Sequence, residues 1–217
     1  MDYYCNLSKY RGAIFDMDGT LVDSDTAIAK AIAPWCQRHQ LDIEQVLKDG
    51  RGVRFEDYVK QHLPHLDLHQ EVKHFEGAEA TFAKYVEEIA GAKTFLTHFQ
   101  HLNLPWALAT SADRDNALKR MQTCGLPKPM HLIGAEDVQQ GKPDPEPFTA
   151  AASKLGLPCR ECVVFEDSDA GVQGALSAGC DVVVVGRFCQ LSHPNIVARI
   201  NDYTNWNAKL LHGRQAC

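Results

Sequence analysis

The chain has 217 residues, 45% of them apolar, and a formal net charge of −6. That supplies the core of one large domain, or of a domain carrying an insertion, and excludes a disordered chain. The acidic balance, with no cluster of Lys and Arg, excludes a surface that tracks nucleic-acid phosphates.

The N-terminal stretch MDYYCNLSKYRG has no apolar core of signal-peptide length, and no run approaches the roughly eighteen apolar residues of a membrane span. The eight cysteines are scattered, several beside apolar residues as small core side chains would be. A cytoplasmic protein with reduced thiols, making no membrane contact, is therefore expected. The apolar run Ala13-Ile14-Phe15 then reads as the end of a buried strand that breaks into Asp16 and Asp18, followed by Gly19 and Thr20. Alternate residues of an extended chain project to one side, so Asp16 and Asp18 share a space while Met17 turns away. Two crowded carboxylates require a cation between them or a proton on one of them. Taken alone, the pair is equally readable as an acidic strand-to-loop turn.

Asp23 or Ser24 caps a helix expected to run to about Gln40, with a kink at Pro34. Shorter helical pieces follow. From about Leu68 to Ile89 a stripe of Val72, Phe75, Ala78, Phe82, Tyr85, Val86 and Ile89 recurs at helical spacing and reads as packing. An amphipathic helix (Phe95, Leu96, Phe99, Leu102) leads into a strand at 106–109. Strand and helix then alternate: helix 114–124, strand 131–133, helix 146–155, strand 162–165, helix 170–178 and strand 182–185.

Apolar strands alternating with helices predict an α/β fold, a doubly wound parallel sheet covered on both faces. Between Phe15 and Trp106 lie 90 residues, where a parallel crossover needs only about a dozen plus loops. The surplus, 24–90, is expected to form an inserted helical cap, leaving 1–23 and 91–217 as the core. Because it departs just after the acidic turn, it should hang over the carboxyl ends of the strands, where open parallel sheets bind ligands.

Three more polar features fall at that same edge. Strand 106–109 ends in Thr110-Ser111, the segment Gly141-Lys142-Pro143-Asp144-Pro145 precedes a helix, and strand 162–165 ends in Glu166-Asp167-Ser168. A helix cap, a proline turn and a solvated strand end would explain each alone. Together they supply a nucleophile, an acid, metal ligands and donors for phosphoryl oxygens.

In order, FDMDGT, ALATSA, GKPDP and FEDSDAG resemble the motifs of the haloacid dehalogenase-like hydrolases, most closely the branch that holds β-phosphoglucomutase and many small sugar phosphatases. The resemblance implies that Asp16 attacks phosphorus and forms an aspartyl-phosphate, while Asp18 donates a proton to the leaving oxygen and later takes one from water. It implies Mg²⁺ on the Asp16 carboxylate, the Asp18 carbonyl and Asp167, with Glu166 as ligand or neighbour. Thr110, Ser111 and Lys142 would bind the phosphoryl group. The expected partner is a small phosphate ester, most simply a sugar or sugar-alcohol phosphate, acted on by a monomer or small homo-oligomer.

A β-phosphoglucomutase-type mutase is the nearest alternative. Such mutases carry a His at the position of Ile28 and an Arg at about that of Phe55; Arg54, one residue away, could substitute. A phospho-acceptor signalling module also unites Asp, Ser or Thr and Lys, but its acidic pair comes first in the chain and it has no room for the insertion. Arg51 and Arg54 are expected to face the substrate from the cap. The Cys159/Cys162 pair and the polar run with His62, His65 and His69 read as core thiols and a solvated face. The tail from His212 to Cys217 carries no readable pattern.

Overall fold

One sheet of six parallel strands brings the acidic turns together. The protein, here as a computed structural model, is described over residues 7–205 apart from Leu102; the tail from His212 lies outside the described residues. In chain order the elements are β1 (Gly12–Phe15), β2 (Val22–Asp23), α1 (Asp25–His39), α2 (Ile43–Asp49), α3 (Phe55–His62), α4 (Leu68–Phe82), β3 (Glu87–Glu88), α5 (Ala92–His101), β4 (Trp106–Ala109), α6 (Arg114–Thr123), β5 (His131–Ile133), α7 (Glu146–Lys154), β6 (Cys162–Glu166), α8 (Asp169–Ser177), β7 (Asp181–Val185) and β8 (Ile196–Ile200).

The sheet order is β5-β4-β1-β6-β7-β8. Connections after β1 run outward through β4 to β5, then return across the sheet to β6. The strand order therefore reverses between β1 and β6, the place where a crevice opens at the carboxyl ends of such sheets. Pairing puts Ile14 opposite Val164 and Phe15 opposite Phe165, so the residues that follow both strands emerge side by side.

Strand alternation divides the core. Phe15, Leu108, Phe165 and Val183 pack with Phe95 and Phe99 of α5 and Met121 of α6. Ile14, Ala107, Val164 and Val184 pack with Phe148 of α7 and Val172 of α8. Phe15 is the hub: its ring stacks on Phe165 at 4.6 Å and meets Phe95, Phe99 and Trp106 edge-on at 6.1, 5.6 and 5.8 Å.

Helices α1 to α4 form an insertion with its own core of Ile32, Trp35, Val46, Tyr58 and Val59. There the Trp35 indole donates to Glu71 at 2.8 Å. α1 runs through Pro34, whose exposure lets water satisfy the carbonyl left without its helical donor. The helix expected to reach Ile89 stops at Phe82, because Glu87 and Glu88 pair antiparallel with Val22 and Asp23. That two-stranded ribbon carries both chain crossings between insertion and sheet. β8 is a strand beyond those expected from the sequence; of its residues only Ala198 is fully buried, so it lacks the apolar run of its neighbours.

Replacing Phe15 by Ala should cost about 3–5 kcal/mol of stability, read from denaturant midpoints at unchanged slope. A loss below about 1 kcal/mol would show that the aromatic cluster refills the space.

Candidate active site

β1 continues its ladder past Phe15, the Asp16 amide donating to the Phe165 carbonyl at 2.9 Å. This seats the Asp16 carboxylate beside the end of β6. The turn that follows is tight: Leu21 and Val22 amides both return to the Met17 carbonyl, at 2.8 and 3.0 Å. Gly19 has φ +83°, and a Cβ there would lie 2.1 Å from Asp167 Oδ2, so only glycine lets the two acidic turns interlock.

Lys142, 1% exposed, reaches in from the loop before α7. Its ammonium donates to Asp16 Oδ1 at 2.6 Å and Glu166 Oε1 at 2.8 Å. The second Glu166 oxygen accepts from the Ser168 amide and hydroxyl at 2.8 and 3.0 Å. Burial pushes the Asp16 carboxyl up to about 7 against the pull of Lys142, with Glu166 adding to the rise. Asp167 is also raised well above the ordinary range, by burial and then by Glu166 and Asp16. Burial would lower Lys142, but the two carboxylates outweigh it and hold the ammonium charged. One ammonium shared by two buried acids, with a third met by Arg51 only at 3.4 Å, leaves the cluster short of positive charge.

Among the described residues, Asp16, Glu166 and Asp167 form a group able to hold a metal, with ligand oxygens all within 4.8 Å of one another. Hard oxygen donors around a charge-deficient centre fit Mg²⁺. The Asp18 side chain stands apart from this group: its Oδ2 accepts from Arg120 Nη1 at 2.7 Å, while Oδ1 is buried without a hydrogen-bond partner among the described residues.

A cavity of about 530 Å³ separates insertion from sheet. Asp16, Asp18 and Thr110 line its floor, and Ile28, Arg51 and Phe55 its roof. Thr110 is buried, its hydroxyl accepting from the Ala112 amide at 3.2 Å. The Ser111 hydroxyl donates to the Gly52 carbonyl of the insertion at 2.8 Å. Gly52 has φ +76°, and a Cβ there would come 2.1 Å from Ser168 Oγ, which is how the 50–54 loop sits so close to the acidic turn.

Both expected cap arginines face the core, but differently. Arg51 donates to Asp25 at 2.8 Å and Asp167 at 3.4 Å, with its guanidinium 3.7 Å over the Phe188 ring. Arg54 is buried and every N–H is taken. It pairs with Asp57 at 2.6 and 2.9 Å and donates to the carbonyls of Ala135, Val138 and Gln139 at 3.0, 3.0 and 2.9 Å. In this state it has no donor left for a ligand.

Sequence reasoning passed over Arg120 and Glu79, which ion-pair behind Asp18. A signal existed: Asn116, Ala117, Arg120 and Met121 recur at the spacing of a buried helix face, where a charged residue is anomalous. His62, His65 and His69 are exposed, and Cys159 and Cys162 are free thiols.

The model of the haloacid dehalogenase-like hydrolase family matches residues 13–185. Hexitol phosphatase A of Escherichia coli (strain K12) is 38% identical over 180 residues, covering 82% of this chain and 83% of its own. Glycerol-1-phosphate phosphohydrolase 2 of Saccharomyces cerevisiae is 35% identical over 187 residues, covering 81% and 74%. Among solved structures, β-phosphoglucomutase from Clostridium difficile has a TM-score of 0.79 over 92% of this chain and 94% of its own at 17% identity, a likeness of fold alone. With motifs in order, acids and lysine converging at the sheet edge, and relatives of this kind, the chain belongs to the haloacid dehalogenase-like hydrolase family and is a phosphoric monoester hydrolase.

Proposed function

We propose that the protein is a Mg²⁺-dependent phosphatase of small sugar or sugar-alcohol phosphates, working through an aspartyl-phosphate on Asp16 in the cytoplasm. The observation that carries this reading is the buried Asp16 carboxylate held by Lys142 at 2.6 Å on the floor of the cavity. A carboxylate so fixed is oriented before substrate arrives, and orientation is a large part of what accelerates phosphoryl transfer.

In this reading an Asp16 oxygen attacks phosphorus as the bond to the leaving oxygen breaks. Asp18 gives that oxygen a proton and then removes one from the water that hydrolyses the aspartyl-phosphate. Lys142 has three donors and uses two on Asp16 and Glu166, so the third serves a phosphoryl oxygen with Thr110 and Ser111. Mg²⁺ held by Asp16, Asp167 and the Asp18 carbonyl, with Glu166 beside them, would offset the charge that otherwise repels a phosphate dianion. Residues 24–90 act as the cap, and Arg51 is the cap residue assigned to the substrate. Arg54 ties the cap to the core.

Hydrolysis is favoured over internal phosphoryl transfer by the roof of the cavity. A bisphosphate needs a cation for its distal phosphate; Ile28 and Phe55 line the roof, Arg54 is committed elsewhere, and Arg51, the roof's remaining arginine, is paired with Asp25 and Asp167 beside the acidic centre. Glu56, Glu76, Asp113 and Glu136 also line the cavity, and burial together with Asp113 and Glu136 raises the Glu76 carboxyl. A wall of carboxylates accepts hydrogen bonds from hydroxyl groups and repels a second phosphate.

Asp16→Asn should lower phosphate release on the order of a thousandfold or more, with unchanged thermal stability or a gain. Turnover comparable to wild type would remove Asp16 as nucleophile. Offered β-glucose 1-phosphate with a trace of the 1,6-bisphosphate, the enzyme should release phosphate; efficient formation of glucose 6-phosphate without release would favour the mutase. The metal has a separate signature in stability. With Asp16 raised to about 7, the folded state holds a proton that the unfolded chain has lost, so metal-free stability falls as pH rises from about 4 to about 7. Mg²⁺ should therefore raise Tm more at about pH 8 than at about pH 5, as differential scanning fluorimetry would read. An equal shift at both values would place the ion elsewhere.

A further inference from the structure

Arg120 is buried at 2% exposure between two carboxylates. Its Nη1 donates to Asp18 Oδ2 at 2.7 Å, and its Nη2 makes a short contact with Glu79 Oε1. Asp18 belongs to the acidic turn after β1, Arg120 to α6 of the core and Glu79 to α4 of the insertion. Burying an arginine among acids is seldom stabilising compared with apolar packing. The seam between α4 and α6 is, moreover, already joined without it: Asn116 donates to the Glu76 carbonyl at 3.1 Å and Lys119 to the Ala80 carbonyl at 2.6 Å. What Arg120 adds is its reach to Asp18.

That reach makes the two Asp18 oxygens unequal. Oδ2 is fixed by the guanidinium, and Oδ1 is buried with no partner among the described residues. An unpartnered buried oxygen is costly unless a ligand completes it.

Resting on the phosphatase reading above, we propose that Arg120 is a positioning residue: it clamps Asp18 through Oδ2 so that Oδ1 carries the proton to the leaving oxygen, and Glu79 makes the clamp depend on a seated insertion. Without Glu79 the guanidinium is held from one side only and can swing with the Asp18 carboxylate. A substrate that seats the insertion thereby obtains a correctly aimed acid.

The test uses leaving groups that differ in their need for a proton. First-turnover release is measured by rapid quench for 4-nitrophenyl phosphate and for a polyol phosphate that wild type hydrolyses. An aryl oxide departs without protonation and an alkoxide does not, so Arg120→Met should slow the polyol phosphate about 10- to 100-fold more than the aryl ester. Arg120→Lys should recover part of that difference, and Glu79→Ala should show a smaller one in the same direction. Should Arg120→Met fold poorly, Arg120→Met/Glu79→Leu removes the buried charges together and should keep the difference. Equal losses on both esters would overturn the inference and leave Arg120 a structural tie. A wild type that cleaves neither ester would overturn the phosphatase reading, and this inference with it.

Discussion

The buried ammonium of Lys142, shared between Asp16 and Glu166, is the interaction on which the rest of the site depends. Two acids from adjacent strands are brought within reach of one lysine only because β1 and β6 are neighbours at the reversal of strand order. Removing the lysine would leave buried carboxylates facing each other, a cost that well exceeds the net value of the pair itself. Even with it Asp16 and its neighbour Asp167 stay raised. The sheet thus builds a centre that attracts further positive charge, and it does so on top of the aromatic cluster around Phe15, directly beneath Asp16.

The second constraint is the seam between insertion and sheet. Arg54 crosses it with three bonds to carbonyls at 135, 138 and 139, and the Ser111 hydroxyl reaches the Gly52 carbonyl from the other side. Any movement of the insertion about the β2–β3 ribbon must break these bonds, three of them donated by a buried, charged guanidinium. Hydrogen bonds to charged groups are worth about 1.5–3 kcal/mol apiece, so the seated arrangement is held by more than shape. Arg51 differs in touching Asp167 at the longer distance of 3.4 Å, which makes it the more readily redirected of the two.

The floor and roof of the cavity divide the chemistry. The floor carries fixed polar groups, Asp16, Asp18 and Thr110, supplied by the segments that follow β1 and β4. The roof mixes apolar side chains with carboxylates and leaves Arg51 as its cation close to the acidic centre. Such a division lets one reaction serve different leaving groups by changing the insertion alone.

The order of the motifs was legible in the sequence because each is local: an apolar strand, then acids or a hydroxyl at its end. Strand 106–109 and strand 131–133 match their observed bounds, and helices 114–124, 146–155 and 170–178 differ by a residue or two at their ends. Such elements are specified by their own periodicity. What lay outside that reach depends on contacts distant in sequence. The helix at 68–82 ends where it does because residues 87–88 pair with 22–23, and β8 is a strand because β7 offers it an edge. Arg54 was legible as a charge near the substrate, but whether its donors were free depended on three carbonyls some eighty residues away. Arg120 and Glu79 carry no motif at all; only the packing of α4 against α6 brings them to Asp18. Sequence determines which side chains end each strand, since that follows from the local pattern. Tertiary structure alone decides which of them share a proton, a cation or a partner, since those depend on distances that the local pattern does not encode.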